Sequence, residues 1–440
     1  MSVQSLVKSR FPDTYEVLRK CAHPIRSLRD VRQTERFVRA YRANYERKEA
    51  ELRARPTDQP IRVVFLVNEI NRWKAQSLYD ALKATKRFQP VIALTLADAD
   101  RFLSDAEARA KQATNREWFE AHGMPCVDAC EESPDGKLVA APLERLSPDI
   151  VVYQQPWTIA PCQMPEAVSK YALTAYISYY VLCYGKPSVD TLQRFHRTLH
   201  WYFMQSEEWA KAFRKFQTPR SSAAELLGLG HTMLDQFHGL GDASCPDGYT
   251  IYAPHFSFFH PNNPNFENYS TILQLGRPIL AYAQAHPEMN WVFKPHPRLK
   301  LRLVTTGAWT QEEVDAYWEA WAKVGKVAEM DYVDLFRNSR AMVTDCSSFL
   351  AEYPTTGRPL IRLISGKSRM VPMAPGKKLF RSFYSVHTES EMNDVFRTVL
   401  EEGKDPMREE RWRIVRECGL LGVDAARNIV DFLTKTTNRR

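Results

Sequence analysis

Glycine is scarce in this chain, with 17 residues in 440, which excludes a collagen-like or glycine-rich polymer. Cysteine is sparse too. The eight residues Cys21, Cys126, Cys130, Cys162, Cys183, Cys245, Cys346 and Cys418 are scattered, so a disulfide framework of the small secreted kind is excluded. Cys126 and Cys130 are the close pair, with His122 nearby. A structural zinc site needs a second ligand pair, and none follows. No apolar run approaches the roughly 20 residues that span a bilayer. The longest candidate, Ala172 to Tyr184, is short and carries Thr174, Ser178 and several tyrosines. Met1 to Arg10 has no apolar stretch of the signal-peptide type. A cytoplasmic protein with reduced cysteines is the expectation. A nucleic-acid motif is also missing, so no nucleic-acid partner is expected.

What is present is ordinary globular material. Apolar residues make up 44%, aromatics 12% and charged residues 25%, enough for more than one core. At about 150 residues per domain the length predicts two to three domains. Lys and Arg outnumber Asp and Glu by 8, and residues 1–60 hold 14 of the basic and 8 of the acidic side chains. Phe37, Val38, Tyr41 and Tyr45 recur there at helical spacing. Residues 1–58 therefore read as a basic helical segment, suited to an anionic membrane surface or, more plainly, to a solvated helix of mixed charge.

Beyond the break Arg55 to Pro60, strands and helices alternate. Strands are expected at Ile61–Val67, Pro90–Leu96, Met124–Val127 and Asp149–Tyr153, with helices at Leu78–Thr85 and 101–121. Gly241 to Gly248 reads as a linker. A second series follows, with strands at Thr250–Ala253, Trp291–Lys294, Ala341–Thr344 and Leu360–Leu363. Its helices are expected at Ile272–Ala285, at Thr310–Val324 behind a Thr-x-x-Glu capping box, and from about Ser347. This is an α/β chain of two doubly wound, Rossmann-type domains facing a cleft, at 59–240 and 241–405. Helices in 406–440 are expected to cross back to the first domain. Ligands of such sheets bind beyond the carboxyl ends of strands.

Three segments put chemistry there. In W-V-F-K-P-H-P-R (Trp291 to Arg298) an apolar strand ends and presents Lys294, His296 and Arg298 on a proline-stiffened loop. Such a cluster suits a phosphate, and a histidine can also move a proton; an exposed basic turn is the plain alternative. In A-M-V-T-D-C-S-S-F-L-A-E (Ala341 to Glu352) a strand leads into a helix whose first turn holds Ser347 and Ser348, an expected anion site. Asp345 would cap that helix, and Glu352 could accept bonds from ribose hydroxyls or face solvent. In Y-T-I-Y-A-P-H-F-S-F-F-H (Tyr249 to His260), His255 follows a strand end among aromatics that line either an acceptor surface or the core. No Asp-x-Asp pair stands in these segments to hold a metal.

The ordered set Y-A-P, F-K-P-H-P, D-x-x-D-L-F (Asp331 to Phe336), T-D-C-S-S-F and G-R-P-L (Gly357 to Leu360) resembles the CDP-glycerol glycerophosphotransferases, the GT-B transferases of teichoic acid and capsule synthesis. The match covers roughly residues 229–365, with weaker similarity in Arg62 to Asp80. The resemblance implies transfer of glycerol phosphate from CDP-glycerol to an acceptor hydroxyl, with release of CMP. It implies a pyrophosphate held by His296, Ser347 and Ser348, with Lys294, Arg298, Arg358 and Arg362 as further cations and Glu352 on the ribose. It also implies a lipid-linked or oligosaccharide acceptor and a place on the inner face of the cell membrane. No cofactor held by the protein is implied, and Mg²⁺ could accompany the donor. The Trp-His-Gly motif of many members, whose His is the general base, is absent. Its place falls in Ala172 to Tyr184, so His255 is the replacement base expected here, supported by Asp235 or Tyr179. Two other readings stay open: a GT-B glycosyltransferase using a CMP- or UDP-sugar, and a non-catalytic assembly protein on the same fold.

Overall fold

The run Ile61–Val67 is apolar and β-branched, and all of it but Arg62 is buried. A strand buried on both faces belongs inside a parallel sheet, and this one (β1) pairs in parallel with β2 (Phe88–Leu94) on one side and, on the other, with the strand Ile150–Tyr153. The computed structural model describes residues 34–97, 103–157, 159–181, 183–184, 194–217, 220–237, 239–240, 245, 247–258, 267–328, 332–368 and 371–438. Residues 1–33 of the basic segment, most of the 241–248 connector, His260 and Asp331 lie outside the described residues.

After β3 (Cys126–Asp128) the chain makes a small antiparallel pair, β4 (Cys130–Glu132) with β5 (Leu138–Ala140). It then returns to the first sheet through β6 (Ile150–Tyr153), β7 (Leu173–Ile177), β8 (Trp201–Phe203) and β9 (Glu225–Leu227). The seven strands lie in the order β3-β2-β1-β6-β7-β8-β9. The second sheet holds β10 (Tyr249–Ala253), β11 (Trp291–Phe293), β12 (Lys326–Val327), β13 (Ser339–Thr344), β14 (Leu360–Leu363) and β15 (Tyr384–Val386), in the order β12-β11-β10-β13-β14-β15. All pairings within both large sheets are parallel. Both are doubly wound, as the alternation of elements predicts. Strand order reverses between β1 and β6 and between β10 and β13, and such reversals open a crevice at the strands' carboxyl ends.

The helix over residues 34–54 (α1) lies on the first sheet and buries Val38, Tyr45 and Leu52 in its core. Tyr45 Oη sits 2.7 Å from Thr174 Oγ1, the polar position within β7. Buried Lys48 lies beside that face and Arg55 just beyond the helix end, and both pair with Asp149. Behind β1 stands α2 (Gln76–Lys83). Among the second domain's helices, α3 (Ile272–Ala285) covers one face, and α4 (Gln311–Val324) begins at a Thr310–Glu313 capping box with both bonds made. The segment after β13 departs from the sequence reading. Ser347 and Ser348 form a turn, α5 is the single turn Phe349–Glu352, and a 3-10 turn follows over Tyr353–Thr356. Gly357 ends it at φ 73°, where a Cβ would stand 2.0 Å from the Trp412 ring. That ring belongs to α6 (Arg408–Glu417), whose fully buried Arg411 pairs with Asp405 and donates to the Gly357 carbonyl.

The last helix, α7 (Ala425–Thr437), returns to the first domain and packs Ala426, Ile429, Val430 and Leu433 into its core beside Leu78 and Tyr79. Its free N-terminal N–H groups are met by Asp235, which accepts from Ala425 at 2.9 Å and Ala426 at 3.0 Å while taking the Ser77 hydroxyl at 2.8 Å. Asp235 thus works as a cap for α7, and its oxygens are engaged there instead of supporting a base at His255. Asp235→Ala leaves those N–H groups unmet, and the expected cost is about 1–3 kcal/mol. Urea unfolding should show a lower midpoint at an unchanged slope.

Candidate functional site

The crevice of the second sheet is built by two loops that start at neighbouring strand ends. β10 ends at Ala253 and passes through Pro254 to His255; β11 ends at Phe293 and passes through Lys294 and Pro295 to His296. The His296 N–H donates to the Pro254 carbonyl at 3.0 Å, which locks the loops together. The imidazole centroids stand 5.1 Å apart, and Phe256 packs 4.4 Å from the His296 ring.

Hydrogen bonds fix the proton on each ring. The backbone N–H of Ser257 donates to His255 Nδ1 at 3.2 Å, and the Ser257 hydroxyl lies 2.7 Å from the same atom. That hydroxyl accepts from the Tyr269 N–H at 3.2 Å, leaving its own proton for His255. In the same way Arg298 N–H donates to His296 Nδ1 at 3.1 Å. Each ring must therefore carry its proton on Nε2 while neutral. Both rings are held neutral. Burial, then the neighbouring His296, pushes His255 well below the ordinary histidine range. Burial, then Arg298 and Lys294, pushes His296 down to about 4. Two Nε2–H donors result. The lone pair a general base would need on His255 is already engaged at Nδ1, so the base role expected of His255 does not suit this geometry.

Asp345, 3% exposed, directs no oxygen into the crevice as an anion-site cap. Its Oδ1 accepts from the His255 N–H at 2.6 Å, and its Oδ2 accepts from the Thr271 N–H at 2.6 Å and the Thr271 hydroxyl at 2.9 Å. It fixes His255 and the start of α3. Burial outweighs these donors and raises its pKa to about 6. Ser347 and Ser348 are half-buried in the turn beyond β13, with Ser348 Oγ 3.4 Å from Cys346 Sγ. With α5 a single turn, no helix dipole of consequence stands behind them.

Arg358 lies elsewhere. It precedes β14 and so sits at the amino end of the sheet, donating to the Phe336 carbonyl at 2.5 Å. It braces the far end and does not reach the crevice. Arg362, near the carboxyl end of β14, bonds the Tyr184 hydroxyl at 2.7 Å and lies over the Phe380 ring. Arg298 is exposed, 5.8 Å from the Phe256 ring centroid.

The first domain supplies residues that the sequence reading did not single out. After β1, Lys74 stands over the Tyr332 ring at 4.7 Å, and Lys294 faces the same ring at 5.9 Å. Lys74 also favours the ionised form of Glu352 across the cleft, together with the Tyr332 hydroxyl and the Val181 backbone. Burial still dominates, so Glu352, 1% exposed, has its pKa pushed up to about 7, and its Oε2 has no hydrogen-bond partner. Gln154, after β6, ties this side together by accepting the Lys74 N–H at 2.6 Å and, through its backbone carbonyl, the Tyr179 N–H at 2.8 Å. Tyr179 carries Arg72 over its ring at 5.6 Å. Its raised pKa reflects burial, opposed by Arg72 and by Arg298 from the other domain. Nothing marks Lys74 in the sequence, because its place depends on β6 lying beside β1.

The fold is GT-B: two Rossmann-type domains with their strand carboxyl ends turned to a common cleft. Among solved structures, the UDP-GlcNAc 2-epimerase from Neisseria meningitidis bound to UDP-GlcNAc matches 86% of this chain and 100% of its own at 14% identity, with a TM-score of 0.53. The S. aureus MnaA–UDP structure matches 86% and 96% at 13% identity, TM-score 0.51. The wall teichoic acid polymerase TagF matches 96% and 97% at 10% identity, TM-score 0.49. No protein-family model and no curated protein matches the sequence. Among the described residues, no helix is long and apolar enough to cross a membrane, and no cluster of three His, Cys, Asp or Glu could hold a metal.

The neutral imidazoles make a pH prediction. An unfolded histidine takes its proton below about 6.5, whereas folded His296 stays neutral to about 4, so its contribution to stability is lost as pH falls through that window. Asp345 and Glu352, with raised pKa values, act in the opposite sense. The informative readout is therefore a comparison. Between pH 7.5 and 5, His296→Gln should lose about 2 kcal/mol less stability than wild type, measured by urea unfolding. Equal losses would mean that the His296 ring is hydrated and free to protonate.

Proposed function

We propose that this protein is a transferase of cell-surface polymer synthesis that moves a glycerol-phosphate-type group from CDP-glycerol to an acceptor hydroxyl. The observation that carries the reading is the pair of neutral, Nε2-protonated imidazoles at adjacent strand ends, flanked by Lys294 and Arg298. Together they make a seat for phosphoryl oxygens. The acceptor oxygen attacks the phosphorus next to glycerol, a new P–O bond forms, and the bond to the CMP phosphate breaks. Charge gathers on the transferred oxygens and on CMP, where His255, His296, Lys294 and Arg298, and Lys74 from the facing domain, stabilise it. Such transition states are loose and ask little of a base. The acceptor proton leaves late, to solvent or to a phosphoryl oxygen. Ser347 and Ser348 add hydroxyl donors, and Glu352 is placed for a ribose hydroxyl at its unpartnered Oε2. Mg²⁺, where needed, arrives with the donor. The basic surplus of residues 1–60 supports a peripheral position on an anionic inner membrane face, beside a lipid-linked or oligosaccharide acceptor.

Calorimetric titration of CDP-glycerol, CDP-ribitol, CMP-sugars and UDP-sugars tests this. A CDP-alditol should bind wild type, and His296→Ala should weaken it about 10- to 100-fold, the worth of one hydrogen bond to a charged oxygen. Binding of a CMP- or UDP-sugar instead would make the chain a GT-B glycosyltransferase. No nucleotide binding at all would favour a non-catalytic assembly role.

A further inference from the structure

At the carboxyl ends of β6 and β7, on the first-domain wall of the cleft, three aromatic rings meet. Trp157 and Tyr180 are nearly parallel, 12° apart with centroids at 6.0 Å. Tyr179 closes the corner, 78° from Trp157 at 5.9 Å and 67° from Tyr180 at 4.8 Å. All three are half-buried. Packing in the corner engages part of each ring and leaves apolar surface facing the cleft. The corner is held rigidly: Gln154 takes the Tyr179 N–H, and His231 Nε2 donates to the Ser178 carbonyl at 2.7 Å, just before the two tyrosines.

We propose that Trp157, Tyr179 and Tyr180 seat a pyranose ring, so that the acceptor is a saccharide and not a linear polyol phosphate. This rests on the transferase reading of the cleft. A pyranose has one face of C–H bonds, which stacks on an aromatic ring, and a rim of hydroxyls that both donate and accept. In the loops after β1 and β6 stand unpartnered atoms of both kinds. Asn68 and Gln155 are 4% and 7% exposed, and Asn68 Nδ2 and Gln155 Oε1 have no hydrogen-bond partner. With Ile159 they line a cavity of about 10 Å³, room for one hydroxyl or one water. A polyol phosphate chain offers no apolar face and carries a charge at every phosphate. Arg72, over the Tyr179 ring, pairs through Nε with Glu69 at 3.2 Å and holds a buried Nη1 with no partner, a further donor for a ring hydroxyl. Tyr179 also feels Arg298 across the cleft, so a hydroxyl at the edge of a seated ring faces the phosphoryl seat.

Saturation-transfer NMR on the full chain with CMP present tests the seat, using cellobiose, chitobiose, maltose and a glycerol phosphate trimer. At least one disaccharide should receive saturation at its ring C–H protons, and Trp157→Ala and Tyr180→Ala should each weaken it about tenfold. Trp157→Phe should recover part of the loss, and CMP affinity by calorimetry should stay within about twofold of wild type in every variant. Binding of the trimer alone, binding of no disaccharide, or disaccharide binding indifferent to both alanine variants would overturn the proposal. If wild type fails to bind CMP, the transferase reading falls, while loss of disaccharide binding in the alanine variants would still report the ring seat.

Discussion

A single buried carboxylate organises the carboxyl end of the second sheet. Asp345 accepts three hydrogen bonds, from the His255 and Thr271 backbones and the Thr271 hydroxyl. Those bonds join the end of β13, the loop after β10 and the start of α3. His255 owes its place to the first bond, and His296 follows because its N–H is tied to Pro254, one residue before His255. A carboxylate that is buried and still largely charged at neutrality, with a pKa of about 6, is costly. It is sustained because three donors in fixed positions offset much of that cost, and the same bonds hold the strand-end loops in one arrangement.

The electrostatics of the crevice follow from the same packing. Lys294 and Arg298 flank His296, and their charge together with burial keeps its imidazole unprotonated. A cation cluster built only from lysine and arginine would repel itself and need an anion merely to stand. Neutral imidazoles lower that repulsion while still supplying oriented N–H donors. The tautomer is set locally, by the N–H of the residue two places further on in each loop. This i to i+2 arrangement is a property of the short turn after each strand, and it recurs because both strands end in the same kind of turn.

Much of the fold was legible because buried parallel strands write themselves as apolar runs. Ile61–Val67 and Leu360–Leu363 match residue for residue, and the Thr310 capping box forms as its spacing implies. β8, β9, β12 and β15 were not legible. They are two or three residues long and sit toward sheet edges, where pattern is too brief to register. β7 lies inside the apolar run Ala172 to Tyr184 and does not read as a strand, because Thr174, tied to Tyr45, interrupts it. At the site, Lys294, His296 and His255 were visible as strand-end residues. Arg358 was misplaced because proximity in a motif says nothing about which end of a strand a residue occupies. Lys74 and Gln154 were invisible, since their meeting depends on strand order, which no local pattern encodes.

Strand order also decides how the two domains can cooperate. Each sheet reverses once, and each reversal opens toward the other domain. Lys74 therefore leaves the first sheet at its switch point and meets Tyr332 and Glu352 of the second, while Tyr184 leaves β7 and meets Arg362. Apolar contacts join them: Phe237 stacks on Phe336 at 5.7 Å and Tyr184 packs against Tyr269 and Phe380, so one core cluster runs through both domains. A negative charge introduced between Lys74 and Lys294 would be attracted by both domains at once. Glu352 answers Lys74 across the cleft, and with a pKa near 7 it does so only in part at neutral pH. Lys74 and Glu352 thus couple the two domains electrostatically, and the coupling strengthens as Glu352 ionises above its pKa of about 7.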